Sequence, residues 1–421
     1  MNHTIHSPDF INEHRIGERD FTRKRCLTFP LLIHFFLNFI KSSLQTELNA
    51  FFQQRLNKKT GVYKVTAAAF SLARKKLSET AFIALNRQVI QQFYAENTVQ
   101  TWQGLRVLAV DGSKYLLPNT AKIFRFFNGM TNQYEKKIPM ALGSCLYDVF
   151  LNIVVEARLS AYRSSERDLA EQHLVATAKK DVILYDRGYP AFWFMAAHRD
   201  QNRFFCMRVK VGYSTAVKTF VQSGKKQNQI VLKATSQMRA RCKKKGVSSV
   251  DLTVRLIRIK TRKKDYILIT NLLNKRHFPL NTFKTLYHLR WQVEEGYKKQ
   301  KSGLEIENFT GKSVLAIKQD FHAKILSLTL TAITAYAASH SIKTPITKRN
   351  ASYKINFIHV LSAMKNTVIH LLLGKLSRNE LHYWLKSIAN IVTIIRPNRH
   401  FTRKKKVTDR HKYPMSYKRS F

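Results

Sequence analysis

The chain reads as an α/β protein: a mixed sheet covered by helices, bracketed by helical regions and interrupted by a basic, β-rich insertion. Three observations carry that reading. Apolar residues recur at helical spacing before residue 100 and after residue 280, short β-rich runs fill the stretch between, and several of those runs end in an acid. With 421 residues there is room for two or three domains and a large core, and 44% hydrophobic with 11% aromatic residues excludes a disordered polymer.

Residues 1–100 read as a helical region. No Pro follows Pro30 there, and Leu44, Leu48, Phe51 and Phe52 keep helical spacing. Thr66 is placed to cap a helix over Ala67–Leu77, and Ser78 a second one ending near Tyr94. Arg74, Lys75 and Lys76 lie beside Phe70, Leu72 and Leu77, so one face can dock on a core while the other meets DNA phosphates. A solvated basic face is the competing reading.

Over residues 101–211 the period changes. Leu105–Val110 is a strand-like run ending in Asp111, and Ala141–Ala157 reads as two strands joined around Leu151 and Asn152. Helical spacing over Arg167–Ala178 precedes the apolar run Val182–Tyr185, which ends in Asp186. Pro190 opens a helix through Ala197, and Phe204–Val209 is one more strand. The order is βββαβαβ, a mixed sheet with helices on both faces, in which loops at strand ends gather functional groups.

Residues 212–270 read as the insertion. Gln201–Val250 carries twelve Lys or Arg and no acid, and Asp251–Ile259 and Tyr266–Ile269 look like strands. The block either presents its charge to a DNA backbone or, over Lys225–Lys245, is a disordered basic loop. Residues 271–325 return to helical spacing, and 326–421 read as further helices to about residue 395 and a tail, Arg396–Phe421, with ten basic residues and one acid. The tail clings to phosphates or is simply solvated.

Charge names the partner class. Lys plus Arg total 73 against 26 acids, giving +47, which destabilises a compact fold unless a polyanion shares the surface. Nucleic acid is the expected partner. The longest apolar runs, Leu27–Ile40 and Ile325–Ser339, are too short and too polar to span a bilayer, so no membrane role is expected. Asp9, Glu13, Glu18 and Asp20 stand where an export signal would be basic and then apolar, which suggests a cytoplasmic protein. Cys26, Cys145, Cys206 and Cys242 lie too far apart for a short-spaced zinc site and read as reduced.

Motifs exclude several chemistries. Gly311-Lys312-Ser313 ends like a phosphate loop, but Ile306 stands where that loop needs Gly, and HExxH, GxSxG and GxGxxG are all missing. The acids are what remains. Asp111 and Asp186 each close an apolar strand, and two carboxylates at neighbouring strand ends repel unless a divalent ion sits between them; Mg²⁺, which takes one or two carboxylates and a substrate phosphate, fits. A turn cap is the alternative role for each. On an unbroken helix over Asn281–Lys301, Tyr287, Arg290, Glu294 and Lys301 share a stripe about 60° wide, whereas Glu295 points about 100° away. A plain i,i+4 ion pair between Arg290 and Glu294 is the alternative.

The pattern Tyr287-xx-Arg290-xxx-Glu294-xxxxxx-Lys301 resembles the YREK signature of bacterial insertion-sequence transposases of the DDE type. Val110-Asp111-Gly112-Ser113 and Tyr185-Asp186-Arg187-Gly188-Tyr189 resemble that family's first and second acidic motifs, and Val65–Leu77 its leader region, so the resemblance covers most of the chain. It implies a ribonuclease H-like core in two parts, 101–211 and 271–325, split by the insertion between the second and third acids. By the same resemblance Asp111, Asp186 and Glu294 are a catalytic, metal-binding triad for Mg²⁺, with Mn²⁺ able to substitute, and Tyr287, Arg290 and Lys301 contact DNA. The implied function is a DNA transposase that binds its element's ends, cleaves strands and transfers them to target DNA, acting as a homodimer at the nucleoid, with a DNA hairpin as the route to the second strand. An inactive transposase-derived DNA-binding protein is the alternative.

Overall fold

A computed structural model describes residues 1–23, 25–56, 64–131, 135, 137–261, 265–340 and 353–395. The basic tail from Arg396 therefore lies outside the described residues.

The N-terminal region is helical: α1 (Asn2–His6), α2 (Pro8–His14), α3 (Phe29–Leu37), α4 (Leu44–Arg55), α5 (Ala67–Arg74) and α6 (Thr80–Glu96). Every residue of α3, FPLLIHFFL, is buried, so this helix is the hub and not a membrane anchor. Phe35 meets Phe51 and Phe70 edge-on at 5.4 and 4.9 Å, and Phe36 meets Phe82 at 5.1 Å. Such pairs add about 0.5–1.5 kcal/mol each beyond their burial. Thr66 caps α5 through the Ala69 amide, and the Ser78 hydroxyl accepts from Thr80 N at the start of α6.

The middle of the chain builds one sheet from β1 (Arg106–Leu116), β2 (Gly129–Thr131), β3 (Lys137–Asp148), β4 (Val154–Ala161), β5 (Asp181–Tyr185), β6 (Phe204–Val209), β7 (Gln227–Leu232), β8 (Leu252–Ile259) and β9 (Tyr266–Thr270). Between the strands run α7 (Ala121–Phe127), α8 (Glu166–Gln172), α9 (Phe192–Asp200), α10 (Thr215–Gln222) and α11 (Ser236–Lys245). From the β4 edge the order is β4-β3-β1-β5-β6-β9-β8-β7, with β2 also on β3. β1, β5 and β6 are parallel, whereas β3 runs antiparallel to β1. A mixed sheet of this order, helices on both faces, is the ribonuclease H-like arrangement the resemblance implied.

The alternation of side chains decides which helices cover which face. Leu108, Val110, Ile183 and Tyr185 pack with α9 residues such as Phe194. Val107, Ala109, Val182 and Leu184 pack with Leu286 and Tyr287 from α12 (Phe283–His288) and Val293 and Tyr297 from α13 (Trp291–Lys298). The chain ends with α14 (Val314–His340), β10 (Tyr353–Ile355), α15 (Phe357–Leu372), α16 (Arg378–Ala389) and β11 (Val392–Ile394). α14 to α16 share one apolar core with α3 to α6, so the two helical regions at opposite ends of the sequence close on each other.

Two expectations need correction. β1 does not end at Asp111 but runs five residues further to Leu116, because β3 pairs with it from Leu108 through Leu116; Gly112-Ser113-Lys114 are poor strand formers held there by a partner strand. Over Lys225–Lys245 the basic block is no loop. β9 pairs with β6, so β7, β8 and β9 extend the central sheet, and Lys225–Lys245 folds into β7 and α11. Three of the four cysteines are buried and all are unpaired.

Candidate active site

Strand register brings the first two acids to the same end of neighbouring strands. The parallel pairing of β1 with β5 reaches Ala109 opposite Leu184, with Asp111 two residues further along β1 and Asp186 just past the end of β5. Asp111 is half-buried inside β1, its Oδ1 accepting from the Gly112 amide at 2.9 Å. Burial raises its carboxyl to about 6, with the Gly112 amide and Arg290 opposing the shift and Glu166 and Glu294 adding to it. Those charges are therefore its neighbours.

The third acid comes from a helix that is not continuous. The expected run over Asn281–Lys301 is divided: α12 ends at His288, hydrogen bonds tighten to i→i+3 from Arg290 to Tyr287 and from Val293 to Arg290, and α13 gives way to a π-turn over Lys299–Gly303. Gly296 lets α13 approach the sheet, since a Cβ there would fall 2.9 Å from the Tyr147 ring. Tyr297 donates to the Asp111 carbonyl at 2.6 Å and fixes α13 against β1.

Arg290 joins the acids. Its Nη2 donates to Glu294 Oε1 at 2.8 Å and its Nη1 lies 3.7 Å from Asp111 Oδ2. Burial weakens the guanidinium charge, and Glu294, Tyr287, Asp186 and Asp111 more than restore it, so its pKa is raised. All three acids thus act on one side chain that is only 5% exposed. Its Nε is a buried donor with no partner. The structure accordingly contains the i,i+4 pair, but as one arm of a wider cluster.

Tyr287 is 6% exposed and donates to the Tyr185 carbonyl at 3.2 Å. The phenol is engaged with the backbone immediately before Asp186. Lys301 sits in the π-turn, donating to the Lys114 carbonyl at 2.5 Å and lying 3.7 Å from Glu307. It borders the far end of β1, not the guanidinium. Trp291 is 47% exposed with its ring 5.5 Å from the Arg290 guanidinium.

The N-terminal cations separate. Arg74 is buried, and its guanidinium binds Gln319, Thr310, the Ala316 carbonyl and Asp320. It is a bolt between α5 and α14, built on a buried carboxylate 246 residues away. Lys75 is exposed, and Lys76 lies 3.4 Å from Asp20.

Sequence reasoning missed Tyr297 and Glu166. Tyr297 lies one turn after Glu294 and could have been found by extending the stripe. Glu166 meets the site only through tertiary packing.

Among the described residues no three His, Cys, Asp or Glu side chains are close enough to ligate one ion. The donor set still fits a hard divalent cation. It is all carboxylate oxygen, and Asp111, hard to ionise by itself, is the kind of group a cation stabilises.

The sequence profile of the transposase DDE domain matches residues 102–330. Transposase InsG for insertion sequence element IS4 from Escherichia coli (strain K12) is 25% identical over 255 residues, 59% of this chain and 56% of that protein, so the match spans little more than half of that relative. A cryo-EM structure of the piggyBac transposase synaptic complex with hairpin DNA aligns over 97% of this chain and 87% of that chain at 11% identity and a TM-score of 0.42. Among the described residues no helix is long and apolar enough to cross a membrane. The family profile covers more than half of the chain and both strand acids together with α13, and by that match the protein belongs to the transposase DDE domain family.

Proposed function

We propose that this protein is a DNA transposase that binds the ends of its mobile element, cuts the strand there in a reaction needing a divalent metal, and joins the freed 3′ end to target DNA. The observation that carries the reading is the shared guanidinium: Arg290 reaches carboxylates on β1 and α13 at once, beside the acid that follows β5.

Asp111, Asp186 and Glu294 would hold Mg²⁺, or Mn²⁺ in its place. Such an ion, when bound, makes a better nucleophile of water or a 3′-OH and offsets charge on the leaving oxygen. The chain's own groups do the rest. Arg290 offers its orphan Nε, a charge-assisted donor, to a phosphate oxygen. Tyr287 and Tyr297 hold the backbone of Tyr185 and Asp111, so neither acid can drift along its strand. Lys301 adds positive charge along the path of the DNA past Lys114. The exposed Arg239, Lys243 and Lys244 of α11 and Lys75 of the helical region supply backbone contacts away from the chemistry. In this reading the protein works as a homodimer on nucleoid DNA in the cytoplasm.

The test is strand cleavage. Protein incubated with element-end DNA should nick it in Mg²⁺ and not in Ca²⁺, and Asp186→Ala should bind the same DNA without nicking it. Undiminished nicking by Asp186→Ala removes the triad, and binding with no cleavage in any metal leaves an inactive DNA-binding protein.

A further inference from the structure

One corner of the sheet gathers cations at the same end as the acids. β6 runs parallel to β5, β9 antiparallel to β6 and β8 antiparallel to β9, so Val209, Tyr266 and Ile259 stand at the end of the sheet where Asp186 follows β5. Around Ile259 opens a cavity of about 360 Å³ whose polar lining is Lys226, Arg258, Lys260, Asn281 and Lys284, with no acid. Lys226 precedes β7, Arg258 and Lys260 close β8, and Asn281 and Lys284 flank the start of α12, so three separate segments build it.

Arg258 is the fixed part of the cavity. Its Nε donates to the Lys225 carbonyl at 3.2 Å, its Nη2 to the Val221 and Phe220 carbonyls at 2.6 and 3.3 Å, and the guanidinium lies 5.7 Å from the Phe220 ring. Carbonyls near the end of α10 thus hold the planar fork in place, while Nη1 has no partner among the described residues. Lys226, Lys260 and Lys284 are exposed and make no ion pair among the described residues. Four cations gathered without an acid repel one another, and an anion seated between them relieves that repulsion.

A half-buried arginine joins this corner to the acids. Arg208 on β6 lies 5.1 Å from the Tyr266 ring, Tyr266 meets Tyr287 at 5.7 Å, and Tyr287 holds the carbonyl before Asp186. Among the described residues Arg208 has no hydrogen bond and no ion pair. Going from β5 through β6 and β9 to β8 takes three strand spacings. At about 4.8 Å each they amount to about 14 Å, and a DNA strand advancing about 3.4 Å per nucleotide covers that in about four nucleotides.

We propose that DNA leaving the acids runs over Arg208 to this corner, where Arg258 Nη1 and the three lysines hold a backbone phosphate about four nucleotides from the break. The proposal rests on the DNA-cleaving reading above and deepens it. A second fixed contact sets the direction in which the duplex crosses the acids, as phosphate contacts elsewhere set register.

The probe is element-end duplex bound to the full-length protein without divalent metal, with affinity followed by fluorescence anisotropy as salt is raised. On a duplex extending well past the cut on both sides, combining Lys226→Ala, Lys260→Ala and Lys284→Ala should lower the slope of log K on log salt by about one to two units, at about 0.9 per phosphate. Lys233→Ala, an exposed lysine at the opposite end of β7, should leave the slope unchanged. Trimming the duplex to about two nucleotides past the cut should make the triple variant and the parent equal when the correct arm is shortened, and the element-side and flank-side trims tell which arm that is. The corner is overturned if the triple variant keeps the parental slope on the long duplex, if its deficit survives both trims, or if Lys233→Ala loses as much. With the parent still nicking in Mg²⁺, those outcomes leave the cleaving reading intact. A parent that does not nick removes that reading, and this strand path with it.

Discussion

Two buried arginines, one in the helical region and one at the site, are equally hidden from solvent and differ in a single respect. Arg74 and Arg290 are each 5% exposed. Every nitrogen of the Arg74 guanidinium donates to a protein oxygen, at 2.6 to 3.0 Å, and the group lies over the rings of Phe36 and Phe70. Arg290 has one short bond to Glu294, a longer approach to Asp111, and an Nε with no partner. Leaving a buried donor unsatisfied costs about 1–3 kcal/mol, so the chain keeps such a group where something outside it can complete the set. Saturation marks a bolt. Vacancy at equal burial marks a socket.

The largest effect should come from the bolt. Arg74→Ala leaves Asp320 buried without its cation, which costs about 3–5 kcal/mol. Denaturant unfolding should show that loss, while cleavage per folded molecule stays near the parent value. If cleavage falls instead and stability does not, Arg74 is no bolt and the contrast fails. Next comes the socket. Arg290→Lys keeps the charge and removes the planar fork, so cleavage should drop about 100-fold, in the range set by loss of one positioned donor, and stability should move by less than about 1 kcal/mol.

The same contrast shows what could be read from the chain. The three acids stood out because carboxylates are scarce and two of them follow apolar runs, and the spacing of Tyr287, Arg290 and Glu294 placed them on one side. Those are local signals. Arg74 was unreadable, since its carboxylate partner lies on α14, far along the chain. The division of the α12–α13 run was also hidden: Leu289 and Arg290 keep helical dihedrals, and only the hydrogen-bond register changes. β1 was cut short by its own Gly112-Ser113-Lys114, which propensity alone cannot rescue without β3.

His34 probes whether an orphan group always marks a socket. It sits in α3 with both ring nitrogens unpartnered, and burial, then the charges of Arg55 and His6, depress it to about 4. A neutral imidazole tolerates this where a guanidinium cannot. The unfolded chain takes up a proton near pH 6.5 and the folded one only near 4, so stability is full above 6.5 and drains away as pH falls between those values. The loss should reach about 3 kcal/mol by pH 4, and His34→Leu should remove most of it in acid unfolding midpoints. An unchanged pH profile in the variant would mean that other groups carry the acid lability.

The smallest effect compares neighbouring lysines by the same rule. Lys75 is exposed with no ion pair among the described residues, whereas Lys76 shares Asp20 at 3.4 Å. A phosphate that meets Lys75 releases one counterion and steepens the dependence of log K on log salt by about 0.9; Lys76 must first give up its acid, and such exposed pairs hold less than about 1 kcal/mol. Binding of element-end DNA between 50 and 200 mM salt, without divalent metal, should therefore lose close to one unit of slope in Lys75→Ala and distinctly less in Lys76→Ala. If Lys76→Ala takes the larger share, Asp20 yields to DNA and pairing in the free protein does not decide which cations are held in reserve. If neither slope changes, α5 faces solvent only, and the phosphate contacts of the helical region belong to other residues.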